Sequence, residues 1–202
     1  MKTLFLDLAS HDGLLACIEG DAVAADVAID RRIADHELMP IFDGALRDAG
    51  WKLSDIERIA CVTGPGGFTS LRVAVSFVNA LAWTLSVPAA AIHLSDLLRA
   101  TTQEDDLLWL HSTKREQLFC RGFGKHAQAW LEPECLTLSR FEEACPAGAS
   151  WIGELIPDHR AIADRLSFKE AKRRPTADVL PALVDELRYG REILRPWYGR
   201  GW

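Results

Sequence analysis

Asp7 and Ser10 close an apolar run, "MKTLFLDLAS". A second apolar run, "ERIACVT", breaks into Gly64-Pro65-Gly66-Gly67 and then turns helical. A carboxylate among apolar residues needs a reason. It can bind a metal, or a nucleotide through Mg²⁺, or it can accept backbone N–H groups of its own turn. A glycine-rich strand-to-helix turn also has two uses. Backbone N–H groups at a helix start attract phosphate, and glycines serve equally where the chain is tight or closely approached. The stretch has neither the Lys-Ser/Thr of a Walker A loop nor the GxGxxG spacing. Pro65 removes one donor and fixes φ. On the residues alone, both uses stay open.

No other constellation stands out. The six histidines form neither HxxxH nor HExxH, so no helix-borne metal pair is visible. His36-Glu37 reads as a catalytic pair or as a cap or surface ion pair at a helix start. A GxSxG nucleophile elbow is missing. The five cysteines are scattered, with no CxxC, which suggests buried reduced thiols rather than a disulfide framework or zinc site. Net charge is −6, yet residues 165–202 hold nine Lys/Arg against five Asp/Glu. The acidic remainder disfavours tight nucleic-acid binding by this chain alone. The basic run "KEAKRRP" reads as a solvated face, or as a contact for RNA or an acidic partner. Asp7 comes too early for a signal peptide, and no apolar stretch of membrane-spanning length escapes charge. The expectation is a cytoplasmic protein.

The elements that must position these residues follow from periodicity. Residues 2–9, 13–20 and 22–29 predict three hairpin-linked strands. An apolar stripe from Leu38 through Ile41 or Phe42, Ala45 and Leu46 predicts a helix over 35–49, with Pro40 in its first turn or at a kink. A strand over 56–63, the turn, a helix over 69–86, a strand over 88–94 and a helix over 95–101 complete a βββαβαβα order. That order suits an α/β domain with a mixed sheet. In the second half, strands are expected at 106–112, 116–124, 127–133 and 150–155. Helices are expected at 138–145, 158–166 and from Thr176 to Gly190, with Thr176 as cap. A boundary falls near residues 101–106, and the second half reads as a reduced version of the first. The helix over 69–86 is apolar nearly all round, so something must cover its outer face.

These residues, in this order, resemble the bacterial TsaB (YeaZ) family, subunits of the machinery that makes threonylcarbamoyladenosine next to the anticodon of tRNA. The family turn GPGSFTGLR is matched by Gly64-Pro65-Gly66-Gly67-Phe68-Thr69-Ser70-Leu71-Arg72, with Gly67 in place of Ser and Ser70 in place of Gly. Its opening D-T-S-T is similar to Asp7-Leu8-Ala9-Ser10, and its HSExLLPxI to His36-Glu37-Leu38-Met39-Pro40-Ile41. Later segments match less closely: DARRGEVY against Ser112–Phe119, with Ser112 at the acidic position, and PxYLR against Pro196–Arg200.

The resemblance implies an actin-like, Hsp70-like ATPase (ribonuclease H-like) architecture, with lobes over 1–102 and 103–202. It implies a non-catalytic scaffold that activates the sister subunit TsaD. Where that sister carries an HxxxH metal pair, this chain has His93 through Leu97, so no metal is expected. Pairing would use His36, Leu38, Ile41, Phe42, Leu46, Val75, Val78, Asn79 and Ala82. The turn, with Asp7, Ser10, Gly64, Pro65, Gly66, Gly67, Phe68, Thr69 and Arg72, would aim the second helix into that interface, with any nucleotide contact secondary. No cofactor of its own is implied, and any ATP or ADP would sit at the subunit interface. Expected partners are the TsaD-type subunit, then a TsaE-type ATPase, with tRNA reached only through the complex and a homodimer when alone. The alternatives are a stand-alone ATPase or small-molecule kinase of the same fold, or a homodimeric binding module.

Overall fold

The computed structural model describes residues 1–29, 33 and 35–199. Ten strands and six helices follow in chain order: β1 Lys2–Asp7, β2 Gly13–Glu19, β3 Ala22–Ile29, α1 Asp35–Asp48, β4 Arg58–Gly64, α2 Phe68–Leu85, β5 Ala89–His93, α3 Leu94–Ala100, β6 Leu107–Lys114, β7 Gln117–Gly122, β8 Glu134–Thr137, α4 Leu138–Ala144, β9 Ser150–Glu154, α5 Pro157–Arg165, β10 Lys169–Glu170 and α6 Thr176–Glu186. The chain forms two compact units, Met1–Leu97 with Pro175–Tyr198, and Leu98–Arg174.

The first unit holds a five-stranded sheet in the order β3-β2-β1-β4-β5. β1, β2 and β3 pair antiparallel, while β1, β4 and β5 run parallel. β1 and β4 are buried almost throughout, so the sheet must be covered on both faces. On one face Leu4, Leu6, Leu15, Cys17, Ile59 and Cys61 pack against α1 and α2. α6 supplies buried Val179, Leu180 and Val184 and lies along β2 and β3.

The second unit repeats the plan. Its sheet runs β10-β9-β6-β7-β8, with β6, β7 and β8 antiparallel and β6, β9 and β10 parallel. Strand for strand this is the first sheet again, reduced to a two-residue final strand. The expected mixed α/β architecture with a smaller second half is what the chain adopts.

Four expectations are corrected. Residues 127–133 are not a strand: a 3₁₀ turn over Gly124–Gln128 takes in the first two of them, and the third strand of the meander is β8. Pro40 lies in the second turn of α1, and the helix runs on through it. Thr176 is the first residue of α6 rather than its cap, and α6 stops at Glu186. Finally, Pro175–Tyr198 belongs with the first unit. Arg58 of β4, only 8% exposed, draws it there. Arg58 Nε donates to Thr3 Oγ1 at 2.7 Å, Nη2 pairs with Asp185 at 3.2 Å, and the guanidinium lies 4.6 Å from the centre of the Tyr189 ring.

Candidate functional site

Asp7 is 1% exposed, and its own turn explains it. Oδ1 accepts the N–H groups of Ala9 (2.7 Å) and Ser10 (3.1 Å), and Oδ2 accepts the Ser10 hydroxyl at 2.5 Å. Three donors of the same turn thus meet the buried carboxylate. Its charge adds to burial in pushing the Cys61 thiol far up, burial being the larger cause. Of the two uses left open for Asp7, the structure displays the second.

The glycine-rich turn is packed by the protein itself. Gly64 has φ +138°, and a Cβ there would lie 2.2 Å from the Trp197 carbonyl oxygen. The Gly64–Pro65 peptide is cis. A Cβ on Gly66 would lie 2.7 Å from the Ala9 carbonyl oxygen. Both glycines therefore serve close backbone approach. Trp197 N–H donates to the Thr63 carbonyl at 2.8 Å, and the Trp197 ring meets His93 edge-on at 4.5 Å. Gly67 caps α2 without any side-chain acceptor and has room for one. Beyond it, Arg72 stacks on Phe68 at 3.9 Å, and Phe68 packs against Tyr198 at 5.1 Å. Thr69 is exposed, and Ser10 and Gly66 are half-buried. Pro65 is buried.

The helical face divides differently from the expectation. Leu38, Phe42, Leu46, Val75 and Val78 are at most 7% exposed and sit in the core against the sheet. They cannot meet a partner while the unit is folded. The cause is the 100° turn per residue: Leu71, Ala74, Val75 and Val78 form the inward stripe. Of the other expected residues, His36 is exposed and Ile41 and Ala82 are half-buried. Asn79 is occupied within the chain, Nδ2 donating to the Leu194 carbonyl (3.0 Å) and Oδ1 accepting Leu194 N–H (2.9 Å).

The outward stripe of α2 is Arg72, Ser76, Ala80 and Trp83, continued by half-buried Val73, Phe77 and Leu81. Phe77 meets Phe42 of α1 edge-on at 5.3 Å, which joins the two helices. Trp83 is 87% exposed, and Met39 on α1 is 47% exposed. Beside Trp83 lies a groove of about 430 Å³ lined by Asn79, Ala82, Val87, Arg191 and Ile193. The sequence reading missed Trp83 and Ile193. For Trp83 the signal was available, since it lies seven and eleven residues beyond Ser76 and Arg72, two of the helix's polar breaks. α2 has the length and hydropathy of a membrane span, but it is built into the sheet packing.

Leu97, at the second ligand position of the sister's pair, is 1% exposed and part of the core. Among the described residues no group of three His, Cys, Asp or Glu side chains gathers as metal ligands. In the second unit, Ser112 takes the place of the acidic residue of the resembled family. It is buried, bonds His159 Nδ1 at 2.8 Å and accepts Ile156 N–H at 3.1 Å.

The family model described as "TsaD: tRNA N6-adenosine threonylcarbamoyltransferase" matches residues 32–142, more than half of the chain. The chain belongs to this family, on its TsaB (YeaZ) branch. It is 26% identical over 179 residues to the tRNA threonylcarbamoyladenosine biosynthesis protein TsaB of Bacillus subtilis, covering 87% of this chain and 69% of that one. The tRNA N6-adenosine threonylcarbamoyltransferase of Syntrophus aciditrophicus is 46% identical over 71 residues, but the match spans 20% of its length. Two solved structures share the fold. One is described as an uncharacterized protein with similarity to peptidase YEAZ from Pseudomonas aeruginosa (TM-score 0.73, 21% identity, 98% of this chain and 99% of that one). The other is YeaZ from Pseudomonas aeruginosa (TM-score 0.71, 19% identity, 97% and 99%).

Proposed function

We propose that this TsaB-branch protein is the non-catalytic partner subunit of a TsaD-type transferase, and that it activates that subunit in forming threonylcarbamoyladenosine in tRNA. The observation that carries the reading is the outward face of α2. A helix with Trp83 87% exposed beside an apolar groove offers contact area that a monomer gains nothing by exposing. The docking surface is Arg72, Ser76, Ala80 and Trp83 with the exposed residues of α1, Met39 and His36, while the buried residues hold the two helices in place.

On this reading the glycine-rich turn serves packing, which the Trp197 backbone standing against Gly64 supports. ATP or ADP in the assembly sits at the interface between subunits. A TsaE-type ATPase joins the pair, and tRNA is reached through the complex.

Light scattering on a sizing column tests this, with the chain alone and mixed with the TsaD-type subunit of its own organism. A new heterodimer peak is expected, lost in Ala80→Glu. A stable homodimer indifferent to the other subunit, or magnesium-dependent ATP turnover by the chain alone that disappears in Asp7→Ala, would refute the reading.

A further inference from the structure

The charge of the second unit is divided along the chain. Residues 160–174 carry Arg160, Arg165, Lys169, Lys172, Arg173 and Arg174 against Asp164 and Glu170. Residues 98–159 carry six Lys/Arg against ten Asp/Glu. Two of the six cations are matched inside the fold: Arg160 pairs with Glu170, and Arg165 with Glu142 at 2.6 Å. Arg174 donates to the Ala100 carbonyl at 3.1 Å. Lys169, Lys172 and Arg173 have no carboxylate within 4 Å among the described residues.

The backbone beneath these cations is fixed. Lys169 N–H donates to the Ala149 carbonyl (3.0 Å), Ala171 N–H to Trp151 (2.8 Å) and Arg174 N–H to Thr101 (2.7 Å). Phe168 and Ala171 are buried and anchor the segment, which leaves Lys169, Lys172 and Arg174 exposed and Arg173 half-buried. β10 is the last strand at one edge of its sheet. Fully extended, Lys169 to Arg174 would span at most about 17 Å.

We infer that this edge is an RNA-backbone contact, a row of pre-positioned cations that takes successive phosphates of the tRNA substrate. The inference rests on the proposed function, in which tRNA is what the complex modifies. Charge complementarity identifies the occupant. A chain of net charge −6 would repel a polyanion elsewhere, and four cations within six residues, on and just after the edge strand, outweigh that locally. No exposed aromatic side chain lies in the row, so it reads phosphate and not base. Such contact positions the RNA and carries a salt dependence of about 0.7–0.9 log units of affinity per log unit of salt for each phosphate neutralised.

The test uses the complex with the catalytic subunit of the same organism and a fluorescently labelled tRNA transcript, titrated at several salt concentrations. The variant is Lys169→Ala, Lys172→Ala, Arg173→Ala together. Arg174 is kept for its bond to Ala100. The expected result is a salt slope shallower by about two and binding about 100-fold weaker near 0.1 M salt, with complex assembly unchanged by light scattering. Unchanged tRNA binding in an intact complex would overturn the inference. So would loss of assembly in the variant, which would assign the edge to an acidic protein surface instead. If the wild-type complex itself fails to form, the functional reading falls separately. The chain alone is then titrated: salt-dependent binding lost in the variant keeps the inference, and no binding overturns it.

Discussion

Trp83 and Val78 lie five residues apart on one apolar helix, and the structure predicts opposite phenotypes for them. Trp83 is 87% exposed and Val78 is fully buried. Trp83→Ala removes little that the folded chain uses, so stability should change by less than about 0.5 kcal/mol. A tryptophan side chain can bury on the order of 200 Å² at an interface. At about 25 cal/mol per Å² that is an upper bound of about 5 kcal/mol. Realising half of it places Trp83 among interface anchors worth about 2 kcal/mol or more, a factor of at least about 30 in Kd. Val78→Ala should leave affinity of the folded fraction unchanged. It should cost about 2 kcal/mol of stability, from two lost methyl groups and the cavity behind them, and lower Tm by about 4–8 °C. Urea unfolding of each variant, paired with titration calorimetry against the TsaD-type subunit, separates the two. A Trp83→Ala protein that binds within threefold of wild type would refute the assignment of this face. A Val78→Ala protein as stable as wild type would refute the orientation of α2.

Gly64→Ala should destabilise by about 2 kcal/mol or more, because the new Cβ meets the Trp197 carbonyl at a positive φ; Gly67→Ser should be neutral or stabilising by a few tenths, and urea midpoints give both signs. Arg58→Ala should cost about 2 kcal/mol, by loss of the bond to Thr3 and the stacking on Tyr189. Asp185→Asn should cost under about 1 kcal/mol because that carboxylate is 79% exposed; chemical denaturation of the two single variants checks the difference. Burial, with Lys125 second, holds the His126 pKa below its ordinary 6.5. The unfolded chain therefore binds the proton more readily, so the contribution is present above pH 6.5 and lost as pH falls through the folded value. Unfolding midpoints between about pH 5 and 7.5 should show this slope, flattened in His126→Gln.

Much of the fold was legible in local pattern. Alternation and hairpin turns located β1, β2 and β3, and the run into Gly64–Gly67 located β4 and α2, because side-chain period is a property of neighbouring residues. β8 was misplaced because "AQAWLEP" carries the apolar content of a strand, while the chain spends its first two residues on the end of a 3₁₀ turn and buries Trp130 in the core just after it. The candidate site was half legible. The glycine turn and the apolar helix were found, but Leu38, Phe42 and Leu46 of α1 and Val75 and Val78 of α2, five of the nine residues named for contact, lie in the core.

Sequence alone determined that Asp7 needed donors and that the turn needed glycine. Each follows from the chemistry of a residue and its immediate neighbours. Only tertiary structure decided which stripe of α2 meets the sheet and what fills the space above Gly64. Those answers depend on Pro175–Tyr198 returning to the first unit, where Asn79 binds Leu194 across 115 residues of chain. A contact between segments so far apart leaves no periodic trace in either of them, because each is shaped locally by its own backbone and jointly only by packing.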